Sequence, residues 1–342
     1  MKHTKCIMRA FVTASAVCAA AAIAFHSSRT ATAAGDETKG GKFVFGVIAK
    51  SQSNPVFQAA LKGAQAAAKA LSKDGVEITI DWRTPNEEDA QKQADNIEKL
   101  VNAGANGVAM SCSDASKVTK AINAAVEKGV PVMCFDSDAP QSKRFAYFGV
   151  DDEQTGARVM EELVKALGGQ KGRIVVLAGN QTAPNLQARV RGVITKAAAM
   201  GFTIDSTKDV FYHKETPQDA AQKVEEVQNN NPEIVGWAMV GGWPLFTDAL
   251  LKWEPGKVKI VAVDALPAQL PYVEKGVAQM LLAQPVFDWG YKSTEMLLAK
   301  AQGKGVSDRN ICELIPVTKD NLKDWAKKLK NWGFEVNPKF LE

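Results

Sequence analysis

Histidine is nearly missing from this chain: three in 342 residues, and only His213 lies beyond residue 34. That scarcity removes histidine-cluster metal sites and leaves a Ser-His-Asp or Cys-His mechanism without material. Cysteine is also sparse. Beyond residue 34 only Cys112, Cys134 and Cys312 remain, an odd number at wide spacing, which argues against a disulfide framework. They read as buried small hydrophobes. A Cys112–Cys134 bridge is the alternative, since both lie near the ends of strands expected to be neighbours. No G-x-G-x-x-G follows the first strand candidate, and Gly168-Gly169-Gln170-Lys171-Gly172 lacks the rest of a P-loop and precedes a strand. It reads as a helix stop and turn.

A net charge of one sign is missing too. Lys2, Lys5, Arg9 and Arg29 account for the whole formal +4, and from residue 35 onward 38 basic residues face 38 acidic ones. A chain so balanced has no electrostatic reason to hold nucleic acid or an anionic membrane surface. The early cations precede an uncharged apolar stretch at 10–25 and small residues ending Ala31-Thr32-Ala33-Ala34. The apolar run falls short of the roughly 20 residues a spanning helix needs. Residues 1–34 are therefore expected to be a cleaved signal peptide, and the remainder a periplasmic protein. A retained anchor is the alternative.

What is present is alternation. Strand candidates start at 43, 76, 107 and 131, stepping by 33, 31 and 24 residues. A second set starts at 173, 204, 234 and 258, stepping by 31, 30 and 24. Amphipathic stretches lie between them. Val56, Ala60, Ala64, Ala67 and Leu71 share one helical face, and Ala90, Ala94, Ile97 and Val101 another. This pattern predicts α/β architecture with parallel sheets covered on both faces. Two Rossmann-like three-layer α/β/α domains in tandem explain the repeat with less strain than one very large core. After a strand at 278–283, a helix at 286–301 has no counterpart in the repeat. It is expected to return to the first domain before Glu313–Val317 crosses back. The lobes would then be 42–150 plus 285–312 and 151–284 plus 313–342, joined by a three-strand hinge, with a ligand in the inter-domain cleft.

Ligands of open parallel sheets bind beyond the carboxyl ends of the strands. That rule selects Lys50, Ser51, Asn54 and Phe57, then Ser111 and Asp136, and in the second half Asn180–Asn185, Gly241–Trp243 and Asp264. Asp136 and Asp264 match across the repeat, each closing an apolar strand. A carboxylate accepts two sugar hydroxyls in a fixed geometry, and such charge-assisted bonds are about twice as strong as neutral ones. Helix capping is the competing role for each Asp. Arg189 offers a planar fork of donors. Phe57, Tyr212, Trp237 and Trp243 are candidate rings for stacking on a pyranose face, with Trp243 favoured because its loop lies beyond a strand.

These residues resemble the periplasmic sugar-binding proteins of the ribose-binding type, the solute receptors of ABC importers. The resemblance covers residues 42–318. It rests on Ser51-Gln-Ser-Asn54-Pro-Val-Phe57, Phe135-Asp136-Ser137-Asp138, Ala188-Arg189-Val-Arg-Gly192, Val263-Asp264 and Ala283-Gln284-Pro285. It implies two lobes closing on a sugar held by Asn54, Phe57, Asp136, Arg189, Asp264 and Gln284. Lys50 matches a lysine of arabinose-type binders. Ser111 stands where ribose binders carry Asn, Val56 replaces a frequent aromatic, and Trp243 stands near a missing Asn. Implied partners are a monosaccharide and a membrane ABC permease, with no cofactor, no metal and no nucleic acid, and the protein is expected to be a non-enzymatic monomer. Asp136-Ser-Asp138 also looks like receptors for autoinducer-2 and rhamnose, and a chemoreceptor co-ligand is a variant of the same reading. A glycoside hydrolase using Asp136 and Asp264 as an acid/base pair is the remote alternative. A lac-repressor-like regulator would need a helix-turn-helix where the export signal stands.

Overall fold

The computed structural model describes residues 40–342; the expected signal peptide lies outside them. The first five strands are β1 (Gly41–Ile48), β2 (Val76–Trp82), β3 (Gly107–Met110), β4 (Val132–Phe135) and β5 (Ala146–Gly149). They alternate with helices α1 (Pro55–Leu71), α2 (Ala90–Asn102) and α3 (Ala115–Glu127). Helix α4 (Asp152–Leu167) opens the second half, followed by β6 (Arg173–Gly179), α5 (Pro184–Ala199), β7 (Val210–Tyr212), α6 (Pro217–Asn230), β8 (Ile234–Met239) and β9 (Lys259–Val263). The chain ends with α7 (Leu270–Lys275), β10 (Met280–Ala283), α8 (Val286–Ala301), β11 (Arg309–Ile311), β12 (Ile315–Val317) and α9 (Leu322–Asn331).

Two six-stranded sheets result, ordered β11-β5-β4-β3-β1-β2 and β12-β10-β9-β8-β6-β7. The first is parallel throughout; in the second only β12 runs antiparallel, against β10. The two orders are the same pattern repeated, as the matched strand steps predict. The chain passes between sheets three times: after β5, after β10, and between β11 and β12.

Side-chain alternation along the strands divides the first sheet's core. Phe45, Val47, Ala109, Met133 and Phe135 face one way, with α1 and α8. Ile48, Val108, Met110, Val132 and Cys134 face the other, with α2 and α3. Helix α8 packs on α1. The α1–α8 and α4–α5 crossings are built alike, each on a pair of glycines. A Cβ on Gly63 would stand 1.9 Å from the Phe287 carbonyl oxygen, and one on Gly290 1.8 Å from that of Ala60. Gly156 and Gly192 repeat the arrangement at 1.8 Å from Arg189 O and 2.0 Å from Glu153 O. Backbone cannot yield as a side chain can, so Gly63→Ala should lower stability by about 1–3 kcal/mol, the cost of overpacking. A urea titration should show a lower midpoint with an unchanged slope.

Several expectations are corrected. The strand expected at 204–211 is only β7, because Asp205 and Asp209 bind each other's backbone in a turn ahead of it. β5 and β11 were not anticipated. In α2 the buried stripe is Ala90, Gln93, Ile97 and Leu100, with Ala94 and Val101 only half-buried. Trp237 is no cleft residue: it is fully buried, packs on Phe211 and donates Nε1–H to Gln228 at 2.8 Å. Cys112 and Cys134 are buried free thiols with their Sγ atoms 3.9 Å apart.

Candidate functional site

The strand tips are set by local chemistry. Helix α1 starts where Asn54 accepts the Val56 N–H at 3.2 Å, with Pro55 supplying a ready-made helical φ. Asn54 is thus a buried N-cap whose amide side remains to donate. Buried Gln93 ties the tips of β1 and β3 together, donating to Ala49 O at 2.9 Å and Ser111 O at 2.7 Å while accepting from Ser113 N. At the next tip, Tyr147 donates its hydroxyl to Asp136 O at 2.9 Å.

Asp136 and Asp264 adopt φ of 57° and 76°, the left-handed region that side chains other than glycine seldom enter. Outside the turn at Asp74, between α1 and β2, they are the only such non-glycine residues among those described. Neither caps a helix; each ends its strand in the same unusual turn. Strain of this kind collects at functional sites.

Around these carboxylates the two halves interlock. Asp136 accepts Ser111 Oγ at 2.7 Å and, from the other half, Asn185 Nδ2 at 3.1 Å. Arg189 is the hub. It donates to Asp152 at 2.9 Å, Val240 O at 3.0 Å and Gln284 Oε1 at 2.6 Å, and stands 4.0 Å from Asp136. Gln284 passes the connection on, donating to Asp264 at 2.8 Å. At the other end Lys50, also buried, reaches Asn185 at 3.4 Å, Glu215 at 3.3 Å and Glu88 at 3.7 Å. Asn180 closes the rim by donating to Glu88 Oε2 at 2.6 Å.

Lys50, Ser111, Asp136, Arg189, Asp264 and Gln284 therefore stand in one buried polar network. Phe57 lies beside it, packed on Trp289 with centroids 6.1 Å apart, and Phe135 covers the same indole at 6.2 Å. Trp243 departs from expectation. Its loop is a short 3-10 turn, and its buried ring folds back over Gly179 and Gly241, edge-on to His213 at 4.8 Å. Asp138 is held by Arg144 at 2.9 Å, which also binds Asp308. Sequence reasoning missed Glu88, Asp152, Glu215 and Trp289. Glu88 and Glu215 follow β2 and β7, the two equivalent strands whose tips were not followed outward.

Five carboxylates share this space with two cations. The excess shows in their acidities. Burial, then the Glu215 charge, pushes Glu88 up to about 7. Burial pushes Asp152 up to about 7 against the pull of Arg189, and burial raises Asp264. The raised values mean that the folded chain holds protons its unfolded form has released. Stability therefore falls as pH rises from about 4.5 towards 7. The melting temperature should be higher at pH 5.5 than at pH 8, by an amount corresponding to about 2 kcal/mol for each of the two groups near 7. Glu88→Gln with Asp152→Asn should flatten that dependence. Such a site suits a neutral ligand rich in hydroxyl donors and disfavours an anion. Among the described residues no His/Cys/Asp/Glu group could hold a metal ion.

A family model described as a periplasmic binding protein domain matches residues 45–305. A D-apiose import binding protein of Paraburkholderia graminis is 28% identical over 178 residues, 52% of each chain. A ribose import binding protein of Bacillus subtilis is 27% identical over 127 residues, 37% of this chain and 40% of that one. The match spans about half the length of these curated relatives. Among solved structures, an ABC transporter solute-binding protein from Burkholderia graminis in complex with D-arabinose superposes with a TM-score of 0.74 at 27% identity, over 82% of this chain and 96% of that one.

Proposed function

The chain belongs to the periplasmic binding protein family, and we propose that it is the solute-binding component of an ABC-type sugar importer that closes two lobes on a monosaccharide unit. The lobes are 42–150 plus 285–312 and 151–284 plus 313–342; each sheet draws its strands from one of these sets. The observation that carries the reading is the pair of left-handed strand-tip carboxylates, Asp136 and Asp264, linked by Arg189 and Gln284 across the cleft. Carboxylates that accept hydroxyls, a guanidinium and an amide that donate to ring oxygens, and a rigid backbone beneath them are what recognition of a neutral polyol requires.

Lys50, Asn54, Phe57, Ser111, Asp136, Arg189, Asp264 and Gln284 form the proposed contact set. Trp243 serves as its packed backing. The protein acts after export to the periplasm, as a monomer that delivers its cargo to a membrane permease and performs no chemistry on it. Binding of D-apiose, ribose or D-arabinose by the relatives supports the sugar class. A thermal-shift panel of pentoses, hexoses and deoxysugars on the chain from residue 35 tests it. One or a few neutral monosaccharides should raise the melting temperature, while uronic acids and sugar phosphates should not. A flat response across the panel would remove the sugar reading and leave the fold intact.

A further inference from the structure

Close to Lys50, whose partners Glu88 and Glu215 line it, lies a cavity of about 450 Å³. Ser51, Glu87 and Glu88 line it from the first lobe, and Asn180, Tyr212 and His213 from the second. Two polar atoms here lack a hydrogen-bond partner. His213 is more than nine-tenths buried. Its Nδ1 lies on the Lys214 carbonyl oxygen. A carbonyl only accepts, so Nδ1 carries the proton and Nε2 the lone pair. Burial also lowers the His213 pKa, which keeps the ring neutral. Nε2 is shut off from solvent with no hydrogen-bond partner. Glu88 Oε1 is in the same position: Asn180 binds its other oxygen, and Lys50 stands 3.7 Å away, beyond hydrogen-bond reach. A buried acceptor left unmet costs about 1–3 kcal/mol. No group in the protein donates to either atom, and both residues line the cavity, so a molecule bound there that displaces their cover can supply the missing bond. The cavity also has an apolar wall: Tyr212 is 38% exposed, one of two large hydrophobic residues so placed among those described.

We propose that this cavity is an outer subsite for a second hydroxylated ring, so that the ligand is a neutral disaccharide or glycoside whose inner ring lies at Asp136 and Asp264. The inference rests on the sugar reading above and extends it. A hydroxyl of the outer ring donates to His213 Nε2 and another exchanges a hydrogen bond with Glu88 Oε1, its C–H face lies on Tyr212, and the glutamates at the rim repel anionic extensions.

Titration calorimetry on the chain from residue 35 tests this with glucose, galactose, D-arabinose and D-fucose as single rings, and maltose, cellobiose, lactose and melibiose as double rings. At least one double ring should bind about tenfold or more tightly than its own constituents. Tyr212→Ala and His213→Phe should each remove that advantage, while single-ring affinity stays within about twofold. The phenylalanine keeps the packing on Trp243 and deletes the Nε2 acceptor together with the Nδ1–H bond to Lys214 O. Single rings binding as tightly as every double ring would overturn the outer subsite and leave the sugar reading standing. A double-ring advantage untouched by both variants would do the same. Failure of all eight sugars would overturn both.

Discussion

Arg189→Ala should abolish detectable sugar binding and lower the stability of the ligand-free protein by about 3 kcal/mol, the usual cost of breaking a buried ion pair from one side. The guanidinium satisfies three partners at once, Asp152, Val240 O and Gln284, and stands 4.0 Å from Asp136. Its removal leaves Asp152, already pushed up to about 7, with its largest opposing charge gone. That carboxyl should then stay protonated to still higher pH. The double effect separates Arg189 from a solvated helix charge such as its exposed neighbour Arg191, whose alanine variant should change neither property. Chemical denaturation and calorimetric titration of the two variants side by side make the comparison. Arg189→Lys should recover part of the stability and little of the binding, because an ammonium cannot reproduce the planar fork.

Asp136→Gly and Asp264→Gly should each weaken binding by about 100-fold while leaving the melting temperature within a few degrees of the wild type. A charged hydrogen bond contributes about 1.5–3 kcal/mol, and each carboxylate is proposed to hold more than one hydroxyl. The backbone effects oppose each other. Glycine removes the left-handed penalty of about 1–2 kcal/mol that these φ angles carry, and costs about 0.5–1 kcal/mol in chain entropy. Alanine at the same positions keeps the strain and loses the carboxylate, so Asp136→Ala should be less stable than Asp136→Gly. That order is the reverse of the one a regular strand or helix would give. It would show that the turn is maintained for what the side chain does.

The repeat was legible because strand spacing is a long-range signal. Eight strand candidates at matched intervals leave few topologies, and the unpaired helix after Gln284 pointed to the crossovers. The strand-tip rule then placed Lys50, Ser111, Asp136 and Asp264 without any motif. β5 and β11 escaped because neither has a counterpart in the eight-strand repeat, and β11 is also largely exposed and polar. Glu88 and Glu215 escaped because the chain runs on past Trp82 and Tyr212 before turning inward, so the side chains that reach Lys50 are not those next to the strand. Asp152 was hidden among Asp151, Asp152 and Glu153, an acidic first turn that reads as helix capping. Asp151 does cap α4, while Asp152 turns to Arg189. Trp237 and Trp243 show the limit for aromatics. Trp237 lies within an apolar run and Trp243 follows it, and only packing reveals that Phe211 and His213 contact these rings. Trp289, the ring beneath Phe57 and Phe135, lay one helical turn beyond the Gln284-Pro285 marker.

A crystal structure of the protein grown with its best sugar would test the central claim most directly. The account predicts one ring held from both sides, with hydroxyl oxygens within about 3 Å of the Asp136 and the Asp264 carboxylates and a guanidinium nitrogen of Arg189 at the same range. A sugar bound to one lobe alone, or bound elsewhere with the Asp136–Asn185 and Gln284–Asp264 bonds undisturbed, would contradict it.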